Sequence, residues 1–323
     1  ELTASPLGIR EGLLPIFTAI GFRAFPSALT ITGPSGEYIQ DIKPSTVEDI
    51  YKNPLQYSMV VVKLSNNQQQ YLHNLINIFD NDFESIGMET DPVRRCYDAI
   101  EAWKAALPPA ALKSRKFSKP VLKFQQLISR SNNPAQLYLQ DFFYAYGLSE
   151  DNWEKLVANI RNWKKELENI VHQYHAAASR TILSTLQVGD EYSVRDAGNT
   201  WVSLLPKGLN QIIQDDLARA IIERFSFPYD TDAVLIDSLS SLLIGKRTDR
   251  WDDSTITLFD REFKSLIHRI ENDALSAAVN SDAEGKVAAD LLCARIDNLY
   301  KKLESLVGRQ DAVSYVKNLI LEK

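Results

Sequence analysis

A chain of 323 residues, 45% of them hydrophobic, can bury a sizeable core and supports more than one domain. Its net charge of −6 excludes a surface coated throughout in nucleic-acid-binding charge, yet leaves room for a local basic patch. No apolar run reaches the ~18 residues that mark a membrane span, and Cys96 and Cys293 lie far apart with no pairing pattern. That usage suits two buried thiols in a reducing cytoplasm.

In chain order, Glu1–Leu7 reads as the continuation of a longer polypeptide. Gly8, Gly12, Gly21, Gly33 and Gly36 crowd the start, so this part is turn-rich and the remainder mainly helical. Gly8–Phe22 predicts a short helix that Pro15 either kinks or opens. Ala28–Thr32 and Tyr38–Ile42 are β-like runs around the turn signal Gly33-Pro34-Ser35-Gly36. Ser45–Tyr51 is helical, and Ser58–Leu64 is the strongest strand. Residues 1–65 thus read as a small α+β unit, winged-helix-like and truncated at its start.

From Asn66 the helical period takes over. Tyr71, Leu72, Leu75, Ile76 and Phe79 form one stripe; Val93, Ile100, Trp103 and Leu107 form the next, stopped by Pro108-Pro109. Helices over Ser118–Ser131 and Pro134–Tyr146 follow, with Gly147 as a C-cap. Ser149 to Thr185 carries apolar residues in steps of three and four, from Trp153 through Leu156, Ile160, Trp163, Leu167, Ile170, Tyr174 and Ala178 to Ile182. This predicts one uninterrupted helix of about 50 Å, spanning 149–186, around which the array of helices is built. Val188–Pro206 reads as a long loop pinned by Tyr192, Trp201 and Leu204. Leu209–Arg224, Asp232–Ile244 (ended by Gly245), Ser254–Ala278, Val287–Val307 and Asp311–Leu321 are further helices. The fold class is therefore mainly α, with a helical domain over 66–225 and a C-terminal helical domain over 226–323.

Catalytic signatures are absent from the sequence. Gly33-Pro34-Ser35-Gly36 lacks a following Lys-Ser/Thr, so no phosphate-binding loop occurs, and there is no Gly-x-Ser-x-Gly. Glu168, His172 and His175 could present metal ligands on neighbouring helical positions, or simply flank an amphipathic helix. They are the only metal candidates, and an enzyme with a hidden helical site would use them. Asp230 and Asp232 resemble an acid/base pair but stand where a helix is capped. Trp251 precedes a run of capping residues, which suits either a hydrophobic staple or a functional loop.

One charge asymmetry stands out. Between Ala102 and Gln140 there is no acidic residue, but there are Lys104, Lys113, Arg115, Lys116, Lys119, Lys123 and Arg130. On the helix after Ser118, Lys119, Lys123 and Arg130 project within about 40° of one another. The last six of those cations are candidates for a nucleic-acid backbone, the alternative being a solvated face.

Ser5-Pro6-Leu7-Gly8-Ile9-Arg10-Glu11-Gly12-Leu13-Leu14-Pro15 resembles the Gly-Ile-(Arg/Lys)-(Glu/Asp)-Gly-(Val/Leu)-(Leu/Ile)-Pro segment in the C-terminal part of large BREX-type phage-defence P-loop ATPases. Trp103-Lys104-Ala105-Ala106-Leu107-Pro108 and Arg250-Trp251-Asp252-Asp253 are similar in order. The resemblance implies a non-catalytic accessory region that binds DNA or other defence proteins. ATP would belong to a core upstream of this chain, which itself needs no cofactor. A scaffold for oligomer assembly is the competing expectation, and none of these readings places the chain in a membrane.

Overall fold

The computed structural model describes residues 8, 10–24, 29–36, 39, 42–61, 64–80, 92–130, 133–187, 192–206, 209–279, 293, 296, 299–301 and 303–321. The protein is mainly α: 79% of the described residues are helical, and among them one small two-stranded antiparallel sheet lies near the start. The chain divides into two compact units. The first comprises Glu1–Leu107 and Phe117–Glu168, the second Pro108–Lys116 and Asn169–Lys323. The breaks therefore fall after residues 107, 116 and 168, whereas composition placed boundaries after 65 and 225. Composition follows chain order, and these units exchange chain segments.

The first unit opens with α1 (Leu14–Ala24), which has Pro15 in its first turn, where the missing N–H costs nothing. Strands β1 (Leu29–Thr32) and β2 (Ser58–Val61) pair antiparallel, with Leu29 opposite Val61 and Thr32 opposite Ser58. The Gly33–Gly36 turn forms, with Gly36 at φ +77°, and the Ile39 N–H returns to the Ile31 carbonyl. Most of the expected run Tyr38–Ile42 lies outside the described residues. Between the strands, α2 (Pro44–Lys52) places Val47 and Ile50 on Ile31, and Ala19 packs against that cluster. Ile16, Phe17 and Ile20 of α1, with Leu13 of the preceding 3-10 turn (Glu11–Leu13), are exposed.

Helix α3 (Asn66–Phe79) starts at a capping box in which Ser65 and Gln68 satisfy each other's backbone N–H. It joins α4 (Pro92–Ala106), α6 (Lys119–Arg130) and α9 (Trp153–Glu168) around a string of aromatic rings. Phe79 meets Trp103 at 4.9 Å between centroids, and Phe124 meets Phe142 at 5.8 Å and Trp163 at 5.7 Å. Helical turns at α7 (Pro134–Gln136) and α8 (Phe142–Ala145) are separated by a π-helical segment, Leu137–Asp141.

The second unit contains α5 (Pro109–Lys113), α10 (Ile170–Leu186), α11 (Val194–Ser203), α12 (Leu209–Ile212), α13 (Asp216–Ser226), α14 (Asp232–Ile244), α15 (Asp253–Val279) and a last helix, Arg309–Leu321. Its core rests on the α10 stripe Ile170, Tyr174, Ala178 and Ile182 and the α15 stripe Phe259, Phe263, Leu266 and Ile270. Trp251 is fully buried, 5.3 Å from the Phe259 ring and 5.7 Å from that of Tyr174. The staple position is thus part of the core.

Three expectations are corrected. The single long helix is two, α9 and α10, which meet at Asn169, where ψ of 0° with φ of −83° marks the edge of the helical region. The apolar stripe continues across that break, so the period alone could not reveal it. The loop expected over Val188–Pro206 contains α11, whose buried face is Val194, Ala197, Gly198 and Trp201. Small residues on that face hide its period, and Gly198 is small by necessity: a Cβ there would lie 2.0 Å from Phe225 Cδ1. The helix expected over Leu209–Arg224 is interrupted, and Asp215 caps α13 through the Leu217 and Ala218 N–H groups. Most of Val287–Val307 lies outside the described residues.

Candidate nucleic-acid interface

The acid-free stretch folds as parts of both units. In the second unit, Pro108-Pro109 ends one helix and starts α5, whose Ala110 and Ala111 are fully buried. Ser114 follows as a buried C-cap. Its hydroxyl donates to Asp253 Oδ1 at 2.9 Å, and the Arg115 N–H donates to Asp253 Oδ2 at 2.8 Å. The Lys116 N–H donates to Ser114 Oγ at 3.2 Å, and the Tyr174 hydroxyl reaches Asp253 Oδ1 at 3.4 Å. Burial pushes the Tyr174 hydroxyl above its ordinary pKa, and the Asp253 charge pushes the same way.

Asp253 is therefore engaged by backbone and hydroxyl donors, and its bonds tie Ser114 and Arg115 to the start of α15. The side chains of Lys113, Arg115 and Lys116 are exposed, and none forms an ion pair among the described residues. A braced loop with three free cations can meet an anionic polymer without first surrendering internal salt bridges.

In the first unit, α6 starts where the Ser118 N–H donates to Glu166 Oε1 at 3.2 Å. Lys119 is exposed. Lys123 is not free: its ammonium donates to the Ala145 carbonyl at the end of α8 and lies 5.7 Å from the centroid of the Tyr146 ring. The Tyr146 hydroxyl donates to the Pro120 carbonyl at 2.9 Å, and burial holds it well above the ordinary tyrosine pKa. Lys104 is paired with Glu101 at 2.7 Å. Arg130 ends α6, and its side chain lies outside the described residues.

Two of the three metal candidates, Glu168 and His175, have protein partners. Glu168 Oε1 accepts from Trp103 Nε1 at 2.9 Å and Lys164 Nζ at 2.7 Å, and it ends the first unit. His172 is exposed on α10 in the second unit. His175 Nε2 lies 3.2 Å from Asp237 Oδ1 and 2.8 Å from Thr248 Oγ1. Among the described residues, no three His, Cys, Asp or Glu side chains gather into a metal-binding group.

That His175 node was not legible in the sequence, because its members lie on separate helices and turns. Asp237 also accepts from Arg247 at 2.9 Å and from the Thr248 N–H at 3.2 Å. Burial raises the Asp237 carboxyl, but the donors of Thr248, His175 and Arg247 outweigh it and hold the group below the usual range. Asp237 and Thr248 share one imidazole nitrogen, whereas a nucleophilic triad needs acid and hydroxyl on opposite nitrogens. The node ties α10 to α14 and the turn Thr248–Arg250.

Asp232 likewise serves structure. It accepts from the Val194 N–H at 2.9 Å and from Arg195 Nε at 2.9 Å, so it caps α11, while Thr231 caps its own helix. Cys96 is buried as expected, but Cys293 is exposed, on a helical face that apolar neighbours in the sequence had suggested was inward. Among the described residues, no helix is long and apolar enough to cross a membrane. In comparisons with protein-family models, curated proteins and solved structures, nothing matches this chain.

Proposed function

We propose that this chain acts by binding, and that the second unit's loop Lys113–Lys116 meets nucleic-acid phosphate. The observation that supports this most is the braced backbone beneath three exposed, unpaired cations. Contacts of this kind read charge rather than base identity. Binding to duplex DNA should therefore be weak at physiological salt, about 10⁻⁴–10⁻⁶ M, and should fall steeply as salt rises. The triple variant Lys113→Glu, Arg115→Glu, Lys116→Glu should keep its fold, lose most of this affinity and flatten the salt slope by about 0.9 per lost contact. A fluorescence-anisotropy titration in which the triple variant binds like the parent would sink the reading.

The setting we propose is an accessory region of a BREX-type antiphage ATPase, supported by the order of the Gly8–Pro15, Trp103–Pro108 and Arg250–Asp253 segments. ATP would act in a core outside this chain, and the free thiols of Cys96 and Cys293 suit a reducing cytoplasm. A protein partner or self-assembly is the second reading, favoured by the exposed apolar residues Leu13, Ile16, Phe17 and Ile20 in and just before α1. Light scattering of Ile16→Asp beside the parent separates the two, since only assembly through α1 would change the mass.

A further inference from the structure

The helical turns around α8 sort their aromatic residues unevenly. Tyr138, Phe142 and Phe143 are buried, but Tyr144 is 90% exposed. A tyrosine ring so fully in water contributes nothing to the core. Tyr144 directly precedes Ala145, whose carbonyl accepts from Lys123. Consecutive Cα atoms are about 3.8 Å apart, so the Lys123 ammonium is held about one residue from the Tyr144 backbone. Lys119, one turn earlier on the same face of α6, is exposed, and Tyr146 bonds back to α6 at Pro120. Asp141, one turn before Tyr144, is the one carboxylate between Pro134 and Ala145.

We infer that Tyr144 is a stacking platform for a base of single-stranded nucleic acid, whose phosphates run along Lys119 and Lys123. The inference rests on the nucleic-acid reading above and adds strand state to it. A duplex keeps its base faces stacked and hidden, so only an unpaired strand can use an exposed ring. The lysines answer the backbone, and the bonds of Lys123 to Ala145 and of Tyr146 to Pro120 tie α6 to the turns that carry Tyr144.

The test is an anisotropy titration of the full chain at low salt with labelled oligo-dT and with a duplex of equal length. Tyr144→Ala should weaken oligo-dT binding about tenfold, within what one base stack supplies, and leave duplex binding unchanged. Tyr144→Phe should bind oligo-dT like the parent, and thermal melts of all three should coincide. If Tyr144→Ala binds oligo-dT like the parent, or loses duplex binding equally, the platform is overturned. Should the Lys113, Arg115, Lys116 reversal still weaken binding in that case, the charge reading stands without it. Failure of the parent to bind either DNA overturns both.

Discussion

Gly198 shows how much one hydrogen atom decides. In a helix interior, Gly→Ala ordinarily stabilises by about 1 kcal/mol. Here the added methyl would enter the Phe225 ring, at 2.0 Å from Cδ1. We expect Gly198→Ala to cost about 1–3 kcal/mol in chemical denaturation, the range for overpacking. The cost should shrink in a Phe225→Leu background, since the two sites share one space; a stabilised single variant would contradict the close approach. Asp252 offers a second residue-level test. The Ser254 and Thr255 side chains donate to it at 2.6 and 2.8 Å, and these bonds draw its pKa down from 3.8 to about 2. A value lowered by folding stabilises fully above about pH 4, and that contribution is lost as pH falls towards 2. Asp252→Ala should cost about 1 kcal/mol at neutral pH, and the difference from the parent should narrow below pH 4. Melts whose difference is constant across that window would refute it.

At the scale of elements, caps were legible only in part. Gly245 ends its helix where the sequence places the stop, whereas the Ser65 capping box emerged only in the structure. Gly147 takes φ +63° just after α8. The end of α10 is different, because Gln187 occupies the left-handed region at φ +58° and its buried Oε1 has no hydrogen-bond partner among the described residues. Glycine tolerates that backbone and carries no side chain to strand. Gln187→Gly should therefore raise stability by about 1 kcal/mol, read as a higher denaturation midpoint at unchanged slope. An unchanged or lower midpoint would mean that the glutamine repays its strain elsewhere. Lys123 teaches the converse lesson. Helical spacing grouped it with Lys119 and Arg130 as a surface cation, but its bond to Ala145 makes it a brace between α6 and α8. Charge reversal there disturbs packing as well as binding.

For the whole molecule, the chain passes between its units after Leu107, Lys116 and Glu168, and each unit has its own core. Trp251 belongs to the second, with its indole N–H donating to Ser240 Oγ at 2.8 Å. We expect calorimetry to resolve two transitions. Trp251→Ala should lower only one of them, by about 3–5 kcal/mol as for other buried tryptophans. One shared transition, displaced as a whole by the substitution, would show that the units unfold together. The mainly α class, the strand at Ser58, the buried stripes and the stop at Gly245 were legible in the sequence, because these follow from period and local chemistry within one or two turns. Tertiary structure alone decided the break at Asn169, the helix hidden around Gly198, the bracing of Lys113–Lys116 by Asp253 and the pairing of His175 with Asp237. Each depends on groups brought together from distant parts of the chain, and no local pattern records which side chain will fill a space or accept a proton.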